Sequence, residues 1–306
     1  KGGGSFRVET TVDGATGDRD AHVDVSTETD RAICQRVRAM HAVGFDSVAL
    51  VDQTGHDRER RAAIEDTVVE LSGFELLEST DTRIRLTNLI DAENVDVRKS
   101  ALRLRLVTLA MHRDAVTAVA EGDATLAEQV VDRDTEADKL FAMVTRHFRR
   151  SLTDLGEIEK LDMGRATLFE YYYACRQFER IADHAVKIAQ FVIDDEAGLP
   201  GTFPASVTDL GASARQVIDD AADVILAGAG IEAAHSALKA RDELADRIDD
   251  LDRELYHHDD PAEAYVAGLV LDSIRRTAEY GANVAGIAIQ YVRHSGTGSG
   301  GNDALA

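Results

Sequence analysis

Tryptophan is absent from this 306-residue chain, which holds only two cysteines and three prolines. Two cysteines cannot build a disulfide framework. Cys34 and Cys175 both sit in helical apolar patterns, the placement of reduced core thiols in a cytoplasmic protein. Lysine is scarce too: six of the 34 basic residues are Lys and 28 are Arg. Acidic residues outnumber basic ones 56 to 34, for a net charge of −22. That balance argues against the positive surface that nonspecific binding to nucleic acid or anionic lipid requires. No run approaches the roughly 20 apolar residues of a membrane span, so no membrane insertion is expected, and the N-terminus lacks the charged-then-apolar pattern of a signal peptide. Dense carboxylate with little lysine points to a halophilic source, and a start at Lys1 in place of Met points to a trimmed chain.

What is present is enough apolar residue, 44%, to bury a sizeable core over about two domains. Residues 1–20 are rich in Gly and Asp with one alternating stretch, Phe6 to Val12, and are read as a flexible N-terminal segment. Residues 21–92 change periodicity repeatedly. AHVDVS reads as a strand, TETDRAICQRVRAMHAVG as an amphipathic helix ending at Gly44, and FDSVALVDQ as a second strand. DRERRAAIEDTVVELSG reads as a helix ending at Gly73, and FELLEST with RIRLTNLI as a hairpin across Asp81 and Thr82. The order fits a small α/β sandwich domain. His41 and His56 are isolated there, and no Gly-rich phosphate loop follows a strand.

Residues 93–294 are helical in pattern. Gly122 stops one long helix and Asp123 caps the next, which runs to about Leu152. A loop from Leu155 to Gly164 and a third helix to Asp194 complete the unit 93–197. The break GLPGTFP precedes a second unit, 205–294, with helices from Ser206 to Ala227, Ile231 to His257 and Pro261 to Arg293, the last starting at a proline after Asp260. Residues 295–306 are read as a disordered tail. Ungapped, Phe178–Ala189 lies over Ile274–Ala285, matching Arg180 with Arg276, Ala182 with Ala278 and Ala189 with Ala285. The expected fold is mostly α: two tandem three-helix-bundle repeats behind the α/β domain.

Two acid pairs stand out. Asp134 and Asp138 share a helical sector with Val130, Ala137, Phe141 and Val144, while Glu179 and Asp183 share one with Leu168, Tyr172, Cys175 and Val186. Residues i and i+4 lie about 6 Å apart along a helix, so two such helices face to face bring four carboxylates together. Buried acids need cations. These are either local Arg133, Lys139, Arg176, Arg180 and Lys187, or a metal ion, for which an all-oxygen site favours hard cations.

Both motifs also resemble a known family. FERIADHAVKIA is similar to the signature helix of PhoU proteins, accessory proteins of phosphate signalling, and VVDRDTEADKLF to the acidic motif on the helix before it. The resemblance covers about residues 93–294. It implies a cytoplasmic, non-enzymatic regulator of phosphate uptake, a homodimer meeting phosphate ABC transporter components or signalling proteins, and a divalent or trivalent metal (Fe, Zn, Mg, Mn or Ca) on Asp134, Asp138, Glu179 and Asp183. In the second repeat Arg275 and Glu279 replace the acid pair and are expected to bind each other, leaving that locus vestigial. Asp242, Asp246 and Asp249 point away from the Leu244, Ile248 stripe and read as a solvated face. Archaeal members place an AbrB-like hairpin first; here only GGGSFRV resembles its start, and the remainder has no room before residue 21.

Three other functions compete. A DNA-binding transcriptional regulator of phosphate genes rests on GGGSFRV alone. A di-iron bundle needs Glu-x-x-His on two facing helices, whereas Glu232-x-x-His235 and Glu254-x-x-His257 lie roughly 33 Å apart on one helix. A helical adaptor with salt-bridged acids is the third. His184 points about 100° from Asp183 by helix geometry, and no G-x-S-x-G motif or His partner for Cys175 supports nucleophilic chemistry.

Overall fold

The computed structural model describes residues 8–12, 19–194, 199 and 203–298. The chain forms two compact units. One comprises residues up to Val97 together with Asp138–Arg165, and the other comprises Arg98–Ala137 with residues from Ala166 onward. In class the protein is mostly helical, with a small mixed sheet early in the chain followed by helical bundles.

The first unit is built on a sheet of β1 (Val8–Val12), β2 (Arg19–Asp24), β3 (Ser47–Val51), β4 (Phe74–Ser79) and β5 (Arg83–Asn88), in the order β1-β2-β3-β5-β4. β2 and β3 are parallel, and α1 (Asp30–Val43) makes the crossover that a parallel pair requires. α2 (Arg58–Val69) returns the chain to β4. Every second residue of β2 is buried, so one sheet face packs on the helices. Val23, Ile33, Val37, Leu50, Ile64 and Ile84 form that core.

Local chemistry sets the ends of these elements. Thr29 Oγ1 accepts from Ala32 N at 3.3 Å at the start of α1, and Asp57 Oδ1 accepts from Arg60 N at 2.8 Å at the start of α2. Gly44 ends α1 in the left-handed region at φ 97°, as its position after the apolar stripe implies. A Cβ at Gly44 would also lie 2.3 Å from Arg150 Cγ, so the glycine serves close approach as well as the turn. α2 stops at Val69 with Glu70 as its C-cap, before the expected Gly73.

The remaining helices are α3 (Val97–Glu121), α4 (Ala124–Ser151), α5 (Leu155–Leu161), α6 (Arg165–Ile193), α7 (Phe203–Leu226), α8 (Ile231–Leu255) and α9 (Pro261–Gly298). Asp123 Oδ1 accepts from Leu126 N at 3.0 Å, and Asp260 Oδ1 from Ala262 N at 2.8 Å, capping α4 and α9 as read from the sequence. In the second unit Gly281 of α9 lets α7 approach closely: a Cβ there would meet Val217 Cγ1 at 3.0 Å and Ile218 N at 3.2 Å. Arg105 of α3 donates to Asp219 and Asp223 of α7, each at 2.6 Å. The matched alanines Ala182, Ala189, Ala278 and Ala285 are all buried.

Four expectations need correction. Val8–Val12, read within a flexible segment, is an edge strand antiparallel to β2, because its alternating residues supply a partner for an otherwise open edge. Residues 1–7 and 13–18 lie outside the described residues. The segment Leu155–Gly164 is not all loop: Asp154 Oδ1 accepts from Gly156 N at 2.9 Å and starts α5, a helix too short for periodicity to show. α9 runs to Gly298 rather than Arg293, since extending a nucleated helix costs little even through poor formers; 299–306 lie outside the described residues. Most consequentially, residues 138–165 group with the sheet and not with the first helical repeat. Ala142 packs on the sheet core, and Arg146 and Arg150 bond to the segment after α1.

Candidate functional site

Asp134 and Asp138 are half-buried on α4, on either side of the fully buried Ala137. Both are already engaged with other groups. On α6 the acids face outward more than the sequence implies. Ile181, Ala182, Ala185, Ile188 and Ala189 carry the core contact, while Arg180, Asp183, Lys187 and Gln190 form an exposed stripe. Glu179 sits beside that stripe, where Arg176 Nη1 donates to both its oxygens at 3.2 and 3.1 Å. Nearby protein raises the Asp183 carboxyl above the ordinary Asp range by desolvation, against the pull of Arg176 and Arg180.

Among the described residues, no group of three or more His, Cys, Asp or Glu side chains is placed to hold a metal ion. A metal on Asp134, Asp138, Glu179 and Asp183 remains what the family resemblance implies. A cation at Glu179 has first to displace Arg176. In the second repeat Arg275 and Glu279 are not each other's partners: Arg275 binds Asp249 at 2.6 Å, and Glu279 accepts from Arg276 at 2.8 Å. Asp242, Asp246 and Asp249 are exposed on α8, as their helical phase implies. His184 turns its ring toward Tyr280, with centroids 5.7 Å apart, and burial lowers its basicity.

A different constellation lies in the first unit. Arg146, 2% exposed, donates through Nη1 to the carbonyls of His41 (3.2 Å) and Phe45 (2.7 Å), and through Nη2 to Asp46 Oδ1 at 2.6 Å. Arg150 Nη1 donates to Gly44 O at 2.9 Å and to both Asp46 oxygens at 2.8 Å, and its Nε donates to Glu157 Oε2 at 3.0 Å. His147 Nδ1 meets Glu157 Oε1 at 2.5 Å. Burial pulls Arg146 down to about 10 while Asp46 opposes the fall. Burial pushes Glu157 upward, yet its bonds to His147 and Arg150 hold it below the ordinary Glu value. The cluster edges a cavity of about 220 Å³ whose other walls are Asn88 to Ala92 and Lys160.

Residues 84–192, from β5 through α6, match the model of the PhoU domain. This chain carries a PhoU domain. The matched span includes α3, α4, α5 and all four acids of the two motifs. The fold is also similar to the crystal structure of PhoU from Pseudomonas aeruginosa, with a TM-score of 0.58 at 24% identity over 66% of this chain and 98% of that one. A second solved structure, the phosphate transport system regulatory protein PhoU from Streptococcus pneumoniae, gives 0.51 at 17% identity over 65% and 94% of the two chains. At these identities the likeness is one of fold. No curated protein matches the chain.

Within the PhoU domain the cluster around Arg146 is what reading the sequence misses. Its only signal is the run Arg146-His-Phe-Arg-Arg150 near the end of an otherwise acidic α4. The acceptors of that run, Gly44 to Asp46, lie about a hundred positions earlier in the chain, beyond any local pattern.

Proposed function

We propose that this chain regulates phosphate transport through protein contacts made by its helical repeats. The observation that carries the reading is the PhoU domain match at 84–192 together with a fold that spans 98% of the Pseudomonas PhoU. The exposed faces supply contact chemistry: a mixed-charge stripe on α6 and the acidic face of α8. With a net charge of −22, association with a basic partner surface is steered by charge. The partners on this reading are cytoplasmic components of a phosphate ABC transporter or its signalling proteins, with the chain acting in the cytoplasm as a homodimer. Among the described residues no helix is long and apolar enough to cross a membrane. No catalytic step is assigned and none passes through a metal ion.

The test is direct binding of the purified chain to the ATP-binding subunit of the phosphate transporter from the same source, and to the phosphate-responsive kinase. Saturable binding to one of them, with an on-rate that falls as salt rises, is the expected result. Absence of binding to both at tens of micromolar removes this reading.

A further inference from the structure

The cavity beside Arg146 has a hydrogen-bond inventory that its own residues leave unbalanced. Its carboxylates are spent on their cations. Both Asp46 oxygens accept from Arg150 Nη1, and one also accepts from Arg146. Glu157 gives one oxygen to His147 and the other to Arg150. The donors are in surplus. A guanidinium has five N–H groups and an ammonium has three, and neither can accept. Arg150 Nη2 lies 3.9 Å from Asp154, beyond hydrogen-bond reach. Lys160 Nζ uses one proton on Asp91 Oδ1 at 3.3 Å and keeps two. With His147 Nδ1–H donating to Glu157, the neutral ring's Nε2 is left as an acceptor for another group. Arg150, Lys160 and His147 all line the same cavity, and its volume of about 220 Å³ accommodates a tetrahedral ion with its hydration.

We propose that this cavity binds a protonated tetrahedral oxyanion, a phosphoryl group, whose oxygens accept from Arg150 Nη2 and Lys160 Nζ and whose own O–H donates to His147 Nε2. Spare donors on two cationic side chains call for an acceptor-rich anion, and charge-assisted N–H···O bonds are the strong ones. The mixed lining narrows the choice further. Asp46, Asp91 and Glu157 edge the same space, so a fully deprotonated dianion such as sulfate meets repulsion with no compensation. Inorganic phosphate keeps a proton near neutrality, and a monoester, whose second pKa lies near 6, keeps one in its monoanionic form; that proton can donate to His147 Nε2.

The position gives the ligand leverage on the fold. Arg150 is held by Gly44 O and Asp46, at the junction of α1 and β3, and by Glu157 on α5. An anion on its Nη2 therefore bears on how α5 and the end of α4 are tied to the sheet. As a sensor the site rests on the reading of this chain as a regulator of phosphate transport; as a binding site it stands on the cavity alone.

Isothermal titration of the full chain at pH 7 and constant ionic strength separates these possibilities. The arms are inorganic phosphate, glycerol 3-phosphate and sulfate, on the unaltered chain and on Lys160→Met and His147→Gln. Lys160 is partly exposed and, among the described residues, pairs with Asp91, so Lys160→Met keeps the test valid if His147→Gln fails to fold. Arg247→Ala, on α8 in the other unit, is the control. The expected result is binding of phosphate or of the monoester at least tenfold tighter than sulfate, weakened tenfold or more by Lys160→Met and unchanged by Arg247→Ala. Tighter binding of the inorganic ion identifies free phosphate as the ligand, and tighter binding of the ester identifies a phosphorylated metabolite. Sulfate binding as tightly as either, or Lys160→Met without effect, overturns the proposal and leaves the regulatory reading to its own test.

Discussion

Replacing Arg146 with alanine is expected to lower the stability of the sheet unit by about 3–5 kcal/mol, the range for removing one partner of a buried ion pair. The side chain is 2% exposed and satisfies the carbonyls of His41 and Phe45 as well as Asp46. Its removal takes the Arg146 donor from Phe45 O, leaves His41 O with the Gly44 amide at 3.0 Å, and opens a void under the Phe74 ring, whose centroid lies 5.8 Å from the guanidinium carbon. Arg146→Lys should recover part of the loss by keeping charge while giving up the fork that reaches three acceptors. Because the chain has two units, a single melt mixes their transitions. Amide hydrogen exchange read in β2, β3 and β5 isolates the unit concerned, and a loss under 1 kcal/mol there would show that Arg150 alone ties Asp46.

Acid should weaken the protein well before its carboxylates protonate. Burial depresses His41 to about 4 and His112 to about 3. His41 Nε2 donates to Ser72 O at 2.8 Å while its Nδ1 is buried without a partner, and a second proton would face Arg146. His112 Nδ1 accepts from Arg215 Nη1 at 3.3 Å, which fixes the neutral ring, and its Nε2 is buried without a partner. Native values lie below the unfolded value near 6.5, so between pH 6.5 and 4 the unfolded chain binds protons that the native chain does not. Stability then falls as pH falls, by about 1.4 kcal/mol per pH unit for each histidine. His56 and His184, lowered mainly by burial, act in the same direction. Glu157 and Asp52, both held below their ordinary values, add their losses only further down. Urea midpoints from pH 7.5 to 4.5 should show this slope in both units, and His112→Gln should flatten it in the helical unit alone. A slope that His112→Gln leaves unchanged would assign the acid sensitivity elsewhere.

The elements readable in the sequence are those whose signals are local. Thr29 and Gly44 bracket α1, Gly122 with Asp123 separates α3 from α4, and Asp260 with Pro261 opens α9, each through a cap or a backbone conformation that its own residue dictates. The motif helices are legible for the same reason, and with them the PhoU relationship. What escapes depends on partners distant in sequence. α6 looks apolar on every side because Ile181, Ala182, Ala185, Ile188 and Ala189 fill a wide arc, and only packing reveals that Arg180, Asp183 and Lys187 keep a strip open to solvent. Periodicity places the four acids on facing helices, but cannot show that Arg176 already occupies Glu179. Nor can it show that the second half of α4 belongs with the sheet, a matter settled by Asp46 and the carbonyls before it.

The central proposal, that this chain regulates phosphate transport, with restraint of entry as the expected direction, is tested most directly by phosphate uptake in its native cells with and without an intact copy of the gene, at high external phosphate. The account predicts faster uptake and greater phosphate accumulation when the chain is missing, reversed by restoring it. Uptake that is the same with and without the chain, at both high and low phosphate, would contradict the account.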